Sequence, residues 1–272
     1  MKDIVERCGA IPVIVDAPWG EAVAPEKVEA ALKENSDAKI LAFVHAETST
    51  GALTDAKTLV ELAHKYDCLT IVDTVTSLGG VPVLVDEWGI DASYSGSQKC
   101  LSCPPGLSPI SMSERAVAAI KGRAAKVPNW YLDLTMIIDY WEGKTRTYHH
   151  TAPINMLYGL YQAVGLILDE GLDAVFERHR SNHERLVSGL AELGLEMLVA
   201  PECRLPMLNA VRVPGGVDEA AVRQKLRMDH LIEIGPGIGP LAGKIWRIGL
   251  MGHTARPENV DRLLSALNTI LR

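Results

Sequence analysis

A chain of 272 residues, 47% of them hydrophobic, holds enough apolar side chains for a full core and excludes a disordered polymer. Its formal charge of −7, from 34 acids against 27 bases with no long single-sign run, excludes a nucleic-acid footprint. Five cysteines point to a reducing compartment rather than a disulfide framework, and no apolar run reaches the roughly 18 residues that cross a bilayer, so a soluble, cytoplasmic protein with no membrane partner is expected.

The opening MKDIVERCGA has no apolar signal-peptide core; it reads as a short helical ending that runs straight into a strand at residues 11–16 (IPVIVD). Further strand-like runs lie at 39–47 (KILAFVHAE), 69–77 (LTIVDTVTS) and 92–97 (ASYSGS). Between them, 25–35 and 55–66 repeat apolar residues at helical spacing, and Pro25 suits a first helical turn. This alternation predicts a mostly parallel sheet covered by helices, the α/β class. Near residue 150 the pattern changes. Residues 151–171 read as a long, mostly buried helix and 172–194 as an amphipathic one. A strand at 207–213, a helix at 218–230, a strand at 244–252 and a terminal helix from about Pro257 to Leu271 then make a small α+β unit. The expected division is 1–170 and 171–272, with no flexible linker between the two.

In a parallel sheet, ligands gather beyond the carboxyl ends of the strands. Asp73 ends the apolar run LTIV, and Lys99 follows ASYSGSQ, so an acid and an amine leave consecutive strands on the same edge. A salt bridge closing the sheet would explain the pair. So would a pyridoxal phosphate site, which needs an amine for the cofactor aldehyde and a carboxylate for the pyridine nitrogen.

The segment VDTVTSLGGVPVLVDEWGIDASYSGSQKCLSCPPGLSPISMSERA (72–116), with YHHTAP (148–153) and WRIGLMG (246–252), closely resembles the class V aminotransferases, specifically the alanine–glyoxylate and serine–pyruvate or serine–glyoxylate branch. The resemblance implies a fold type I transferase that uses pyridoxal 5′-phosphate, works as a homodimer, and moves an amino group from alanine or serine to glyoxylate or pyruvate. It makes Lys99 the Schiff-base lysine and carrier of the α-proton, and Asp73 the partner of the pyridine nitrogen. Thr48, in HAETSTG, matches the hydroxyl that bonds the cofactor's phenolic oxygen, and Gln98 matches a phosphate ligand. Tyr148 and Thr151 match residues that reach across the dimer interface to the partner's phosphate. Arg247 matches the guanidinium that grips the substrate α-carboxylate. Taken singly, Thr48 also reads as a turn hydroxyl, Gln98 as merely polar and Tyr148 as interface packing. Arg247 stands apart, because an arginine between apolar residues of a strand is costly to bury without an anion.

Other motifs carry less. GIGPLAG (237–243) imitates a dinucleotide fingerprint, but prolines interrupt it and a strand follows where a helix is needed. Cys100 and Cys103 form a CxxC with no second pair for zinc, and Pro104 and Pro105 follow where a thioredoxin-like pair would open a helix, so no metal site is expected and small packed residues are. His179 and His183 lie four apart, and the neighbouring Arg178, Arg180 and Arg185 suggest a solvated basic face. Cysteine desulfurases share the fold, yet they resemble one another in a histidine before the lysine, where Gln98 stands here. The family's chains carry roughly a hundred residues before the position matching Met1. The expectation is therefore that a glycine-rich phosphate cradle and a ring-stacking aromatic lie outside this sequence, with a catalytically inactive remnant as the alternative to an active enzyme.

Overall fold

The computed structural model describes residues 1–142, 145 and 147–272. Helix α1 (Lys2–Arg7) is followed by an irregular stretch and by α2 (Pro25–Glu34), which Pro25 opens at a position where its missing N–H costs nothing. Strand β1 (Ile40–Val44) leads into a small hairpin of β2 (Ala46–Glu47) and β3 (Ala52–Leu53). In α3 (Ala56–Lys65) the Asp55 carboxylate accepts from the Thr58 N–H at 3.1 Å, and Leu59, Val60 and Ala63 point inward. After β4 (Leu69–Asp73), the short α4 (Val85–Trp88) and β5 (Ala92–Tyr94), the chain turns back as β6 (Ile110–Met112). The first sheet has the order β1-β4-β5-β6, parallel except at β6.

Helices α5 (Glu114–Lys121), α6 (Leu134–Glu142), α7 (Ile154–Glu170) and α8 (Leu172–Glu192) follow, the last two separated by Gly171 at φ +88. Beyond them β7 (Leu208–Arg212), α9 (Glu219–His230), β8 (Gly235–Pro236), β9 (Ile245–Gly249) and α10 (Pro257–Leu271) build an antiparallel sheet of order β7-β9-β8 backed by helices. Its core gathers Leu186 and Leu190 of α8, Leu226 of α9, Trp246 of β9 and Leu263 and Leu267 of α10. Among the described residues no helix is long and apolar enough to cross a membrane.

Three expectations need correction. Residues 11–16 belong to no sheet and no helix. Ile11 is 93% exposed, and Val13 and Val15 line a cavity of about 340 Å³ together with Leu41 and Phe43 of β1. A strand is a property of a ladder, and alternating apolar residues without a pairing partner among the described residues do not make one. The predicted strand at 39–47 breaks at His45 into β1 and the hairpin strand β2. Helix α7 is not mostly buried: Tyr158, Tyr161, Leu166 and Leu168 are all exposed, so its apolar surface lacks a cover among the described residues.

Candidate active site

The floor of the site is the junction of β4 and β5. Asp73, the last residue of β4, stands opposite Tyr94, the last residue of β5. One carboxylate oxygen accepts from the Val75 N–H at 2.9 Å and the other from the Tyr94 hydroxyl at 2.7 Å, so the carboxylate is aimed before any ligand arrives. Burial, reinforced by the Asp73 charge, pushes the Tyr94 hydroxyl above the usual tyrosine range and keeps it a donor.

Past Tyr94 the ladder continues, with the Ser95 N–H on the Pro109 carbonyl and the Ser97 N–H on the Leu107 carbonyl. The Ser97 hydroxyl donates to the Pro104 carbonyl at 2.7 Å and the Cys103 N–H returns to the Ser97 carbonyl, closing 97–104 into a tied turn. Lys99 sits at the crest of that turn, half-buried, and its amine forms no ion pair with any described residue. The exposed Gln98 folds back over Gly96, where any Cβ would lie 2.7 Å from the Gln98 amide oxygen.

The guanidinium comes from the sheet β7-β9-β8. Arg247, at the middle of β9, donates to the Thr48 carbonyl at 3.0 Å and to the Pro236 carbonyl at 2.8 Å. Two residues 199 positions apart, both singled out in the sequence, are thus in contact. The half-buried guanidinium meets carbonyls but no carboxylate among the described residues. The HAETSTG turn presses onto β7 through Gly51, at φ +82, where a Cβ would lie 2.5 Å from the Leu208 carbonyl oxygen. The Leu205 N–H donates to the Gly51 carbonyl and pins the turn there.

Tyr148 and Thr151 stand apart. Tyr148 is 70% exposed and its hydroxyl bonds that of Thr151, while its ring meets Tyr140 edge-on. Next to them His149 stacks on Trp130 with ring centroids 4.3 Å apart.

Two residues at the site went unnoticed in the sequence, Tyr94, whose hydroxyl holds Asp73, and His45. His45 is buried against Trp88, and its backbone N–H donates to the Asp73 carbonyl at 3.0 Å. Its Nδ1 has no hydrogen-bond partner among the described residues, and burial lowers its pKa to about 4. The signal lay in a histidine at the end of an apolar run, where the strand's alternation points every second side chain inward.

Cys100 and Cys103 are buried as small packed residues. The Cys100 thiol donates to the Thr76 carbonyl and burial pushes it up to about 12, so it is no thiolate nucleophile. No metal-binding cluster occurs among the described residues. GIGPLAG follows β8 and forms a short 3₁₀ turn before β9, the turn that its context predicted. His179 and His183 are not on a solvated face. Both are buried, with His183 donating to the Asn209 side chain at 2.6 Å, while Arg180 and Arg185 carry the exposed ion pairs of α8. The face was misjudged because residues four apart share one side of a helix, which here is the inner one.

Comparison with known proteins identifies the family. The family model described as "Aminotransferase class-V" matches residues 2–261. The chain is 40% identical over 290 residues to the (S)-ureidoglycine–glyoxylate transaminase of Bacillus subtilis, covering 100% of this chain and 69% of that protein. It is 42% identical to an alanine–glyoxylate aminotransferase of Drosophila melanogaster, covering 99% of this chain and 69% of the relative. The crystal structure of an alanine–glyoxylate aminotransferase from Nostoc sp. superposes with a TM-score of 0.96 at 48% identity, over 99% of this chain and 71% of that one. The fold is that of the type I aminotransferases, and the chain belongs to the class V aminotransferase family.

Proposed function

We propose that this protein transfers an amino group from a small amino acid, alanine or serine, to glyoxylate or pyruvate, with pyridoxal 5′-phosphate held between Lys99 and Asp73. The carrying observation is the register of β4 on β5. It sets an oriented carboxylate beside the strand whose continuation bears an amine without an ion pair among the described residues. The donor set suits the group: an amine for its aldehyde, an anion for its ring nitrogen, and a guanidinium that among the described residues meets carbonyls, for a substrate carboxylate.

When bound, the cofactor supplies an electron sink for the α-carbon of an amino acid. The chain's own residues do the rest. Lys99 would hold the aldehyde carbon and, once freed, carry the substrate's α-proton. Asp73, fixed by the Val75 N–H and the Tyr94 hydroxyl, would keep a proton on the ring nitrogen. Thr48 would bond the phenolic oxygen and Gln98 the phosphate. Arg247 would bind the α-carboxylate and orient the Cα–H bond toward Lys99. In this reading residues 1–170 carry the cofactor and residues 171–272 bring the substrate's anchor.

Tyr148 and Thr151 would serve the cofactor phosphate of a second copy, in a homodimer. Their exposure and the uncovered apolar surface of α7 support that arrangement. Five free cysteines suit a cytoplasmic setting. The test is incubation with pyridoxal phosphate, alanine and glyoxylate. Pyruvate and glycine should form, with a visible absorption band that Lys99→Ala lacks. A colourless wild type that makes no pyruvate would favour the inactive alternative.

A further inference from the structure

Behind the lysine turn lies a second set of contacts that the reaction itself does not call for. Ser102 sits in the left-handed region, φ +58, which a serine occupies only when its surroundings hold it there. Its N–H donates to the Lys99 carbonyl at 2.9 Å, and its hydroxyl accepts from the His253 N–H at 2.8 Å. Gly252, at φ +56, packs so closely on this turn that a Cβ would fall 1.9 Å from the Ser102 hydroxyl and 2.7 Å from the Cys100 carbonyl oxygen.

The other side of Gly252 is clasped by α8. Its N–H donates to His179 Nε2 at 2.8 Å and its carbonyl accepts from Arg178 at 2.7 Å, while Arg178 is itself held by Glu170. The second ring nitrogen of His179 lies 2.7 Å from the Val175 carbonyl, which can only accept. The proton is therefore assigned to Nδ1, leaving the Nε2 lone pair for Gly252. Burial lowers the pKa of this imidazole, consistent with a neutral ring. The 252–254 turn leaves β9 three residues after its end and five after Arg247, so one short piece of chain joins the lysine turn to the arginine strand.

We propose that His179 is a positioning residue. Through Gly252 and Ser102, it sets the Lys99 turn at a fixed distance from Arg247, and with it the amine relative to a substrate carboxylate. The inference rests on the aminotransferase reading for its catalytic consequence, but the contact itself can be tested without it.

The variants are His179→Phe, which keeps ring volume without an acceptor, His179→Gln, which returns an acceptor near the Nε2 position, and Ser102→Ala. Ser102 is exposed, so its truncation tests the latch even where His179→Phe fails to fold. Hydrogen exchange of residues 97–104 without cofactor should quicken roughly tenfold in His179→Phe and Ser102→Ala and return toward wild type in His179→Gln. With pyridoxal phosphate, alanine and glyoxylate, kcat should fall roughly tenfold with KM for alanine little changed, because the amine moves while the arginine stays. Unchanged exchange at 97–104 in folded His179→Phe or Ser102→Ala overturns the inference whatever the enzyme assay shows. Quickened exchange with unaltered kcat overturns its catalytic half. A wild type that takes up no pyridoxal phosphate defeats the functional reading while the exchange result still judges the latch.

Discussion

The turn that carries Lys99 and the segment that carries Tyr148 and Thr151 are built in opposite ways. Residues 97–104 are tied by backbone bonds, by the Ser97 hydroxyl and by the second sheet's Gly252–His253 turn. Tyr148 and Thr151 bond mainly each other, and both stand exposed. The contrast separates two kinds of segment: in the proposed site the amine, the carboxylate and the guanidinium are each held by contacts within the chain, whereas Tyr148 and Thr151 have few such contacts among the described residues.

Substitutions should therefore separate into large effects within the chain and small, assembly-dependent ones outside it. Lys99→Ala should lower pyruvate formation from alanine and glyoxylate by at least about a thousandfold, since it removes both the covalent anchor and the proton carrier. Retention of more than a tenth of the wild-type rate would sink that assignment. Arg247→Gln should cost about a hundredfold in kcat/KM, mostly through KM, and Arg247→Lys less, because a point charge replaces a bidentate fork. If Arg247→Gln changes kcat alone, the guanidinium holds the Thr48 turn rather than the substrate.

His45 sharpens the comparison through stability. It is buried and its folded pKa lies near 4, below the unfolded value of 6.5, so the unfolded chain binds the extra proton first as pH falls. Stability that is complete above pH 6.5 should drop between there and pH 4, by on the order of 2 kcal/mol. Urea midpoints across that range should show the loss in wild type and a flatter profile in His45→Phe; parallel profiles would contradict a neutral buried ring. The smallest effect belongs to Tyr148→Phe, which should weaken pyridoxal phosphate binding by roughly three- to tenfold, the worth of one neutral hydrogen bond. That change should appear at protein concentrations that support the dimer and fade on dilution; a concentration-independent loss would mean that Tyr148 acts within its own chain.

The same contrast governs what the sequence could disclose. Asp73 and Lys99 drew attention in the sequence because Asp73 ends an apolar strand and Lys99 follows the next one, and the sheet's polarity says which edge they reach. Arg247 stood out for another reason, as an arginine between apolar neighbours inside a strand. Residues 11–16 look like a strand because alternation is local, while the ladder that makes a strand depends on a neighbour the pattern does not name. Strand β6 was missed because three residues, ISM, carry too little alternation to read. His179 and Ser102 were misread or passed over because their roles depend on Gly252, 73 and 150 positions away, and no local spacing encodes such a meeting.

The most direct measurement is chemical. The protein is incubated with pyridoxal phosphate, reduced with borohydride, digested and mapped by mass spectrometry. The account predicts a pyridoxyl group on Lys99, in the peptide spanning SGSQKC, and little elsewhere. A label spread over exposed lysines such as Lys57 and Lys65, with Lys99 unmodified, would contradict it.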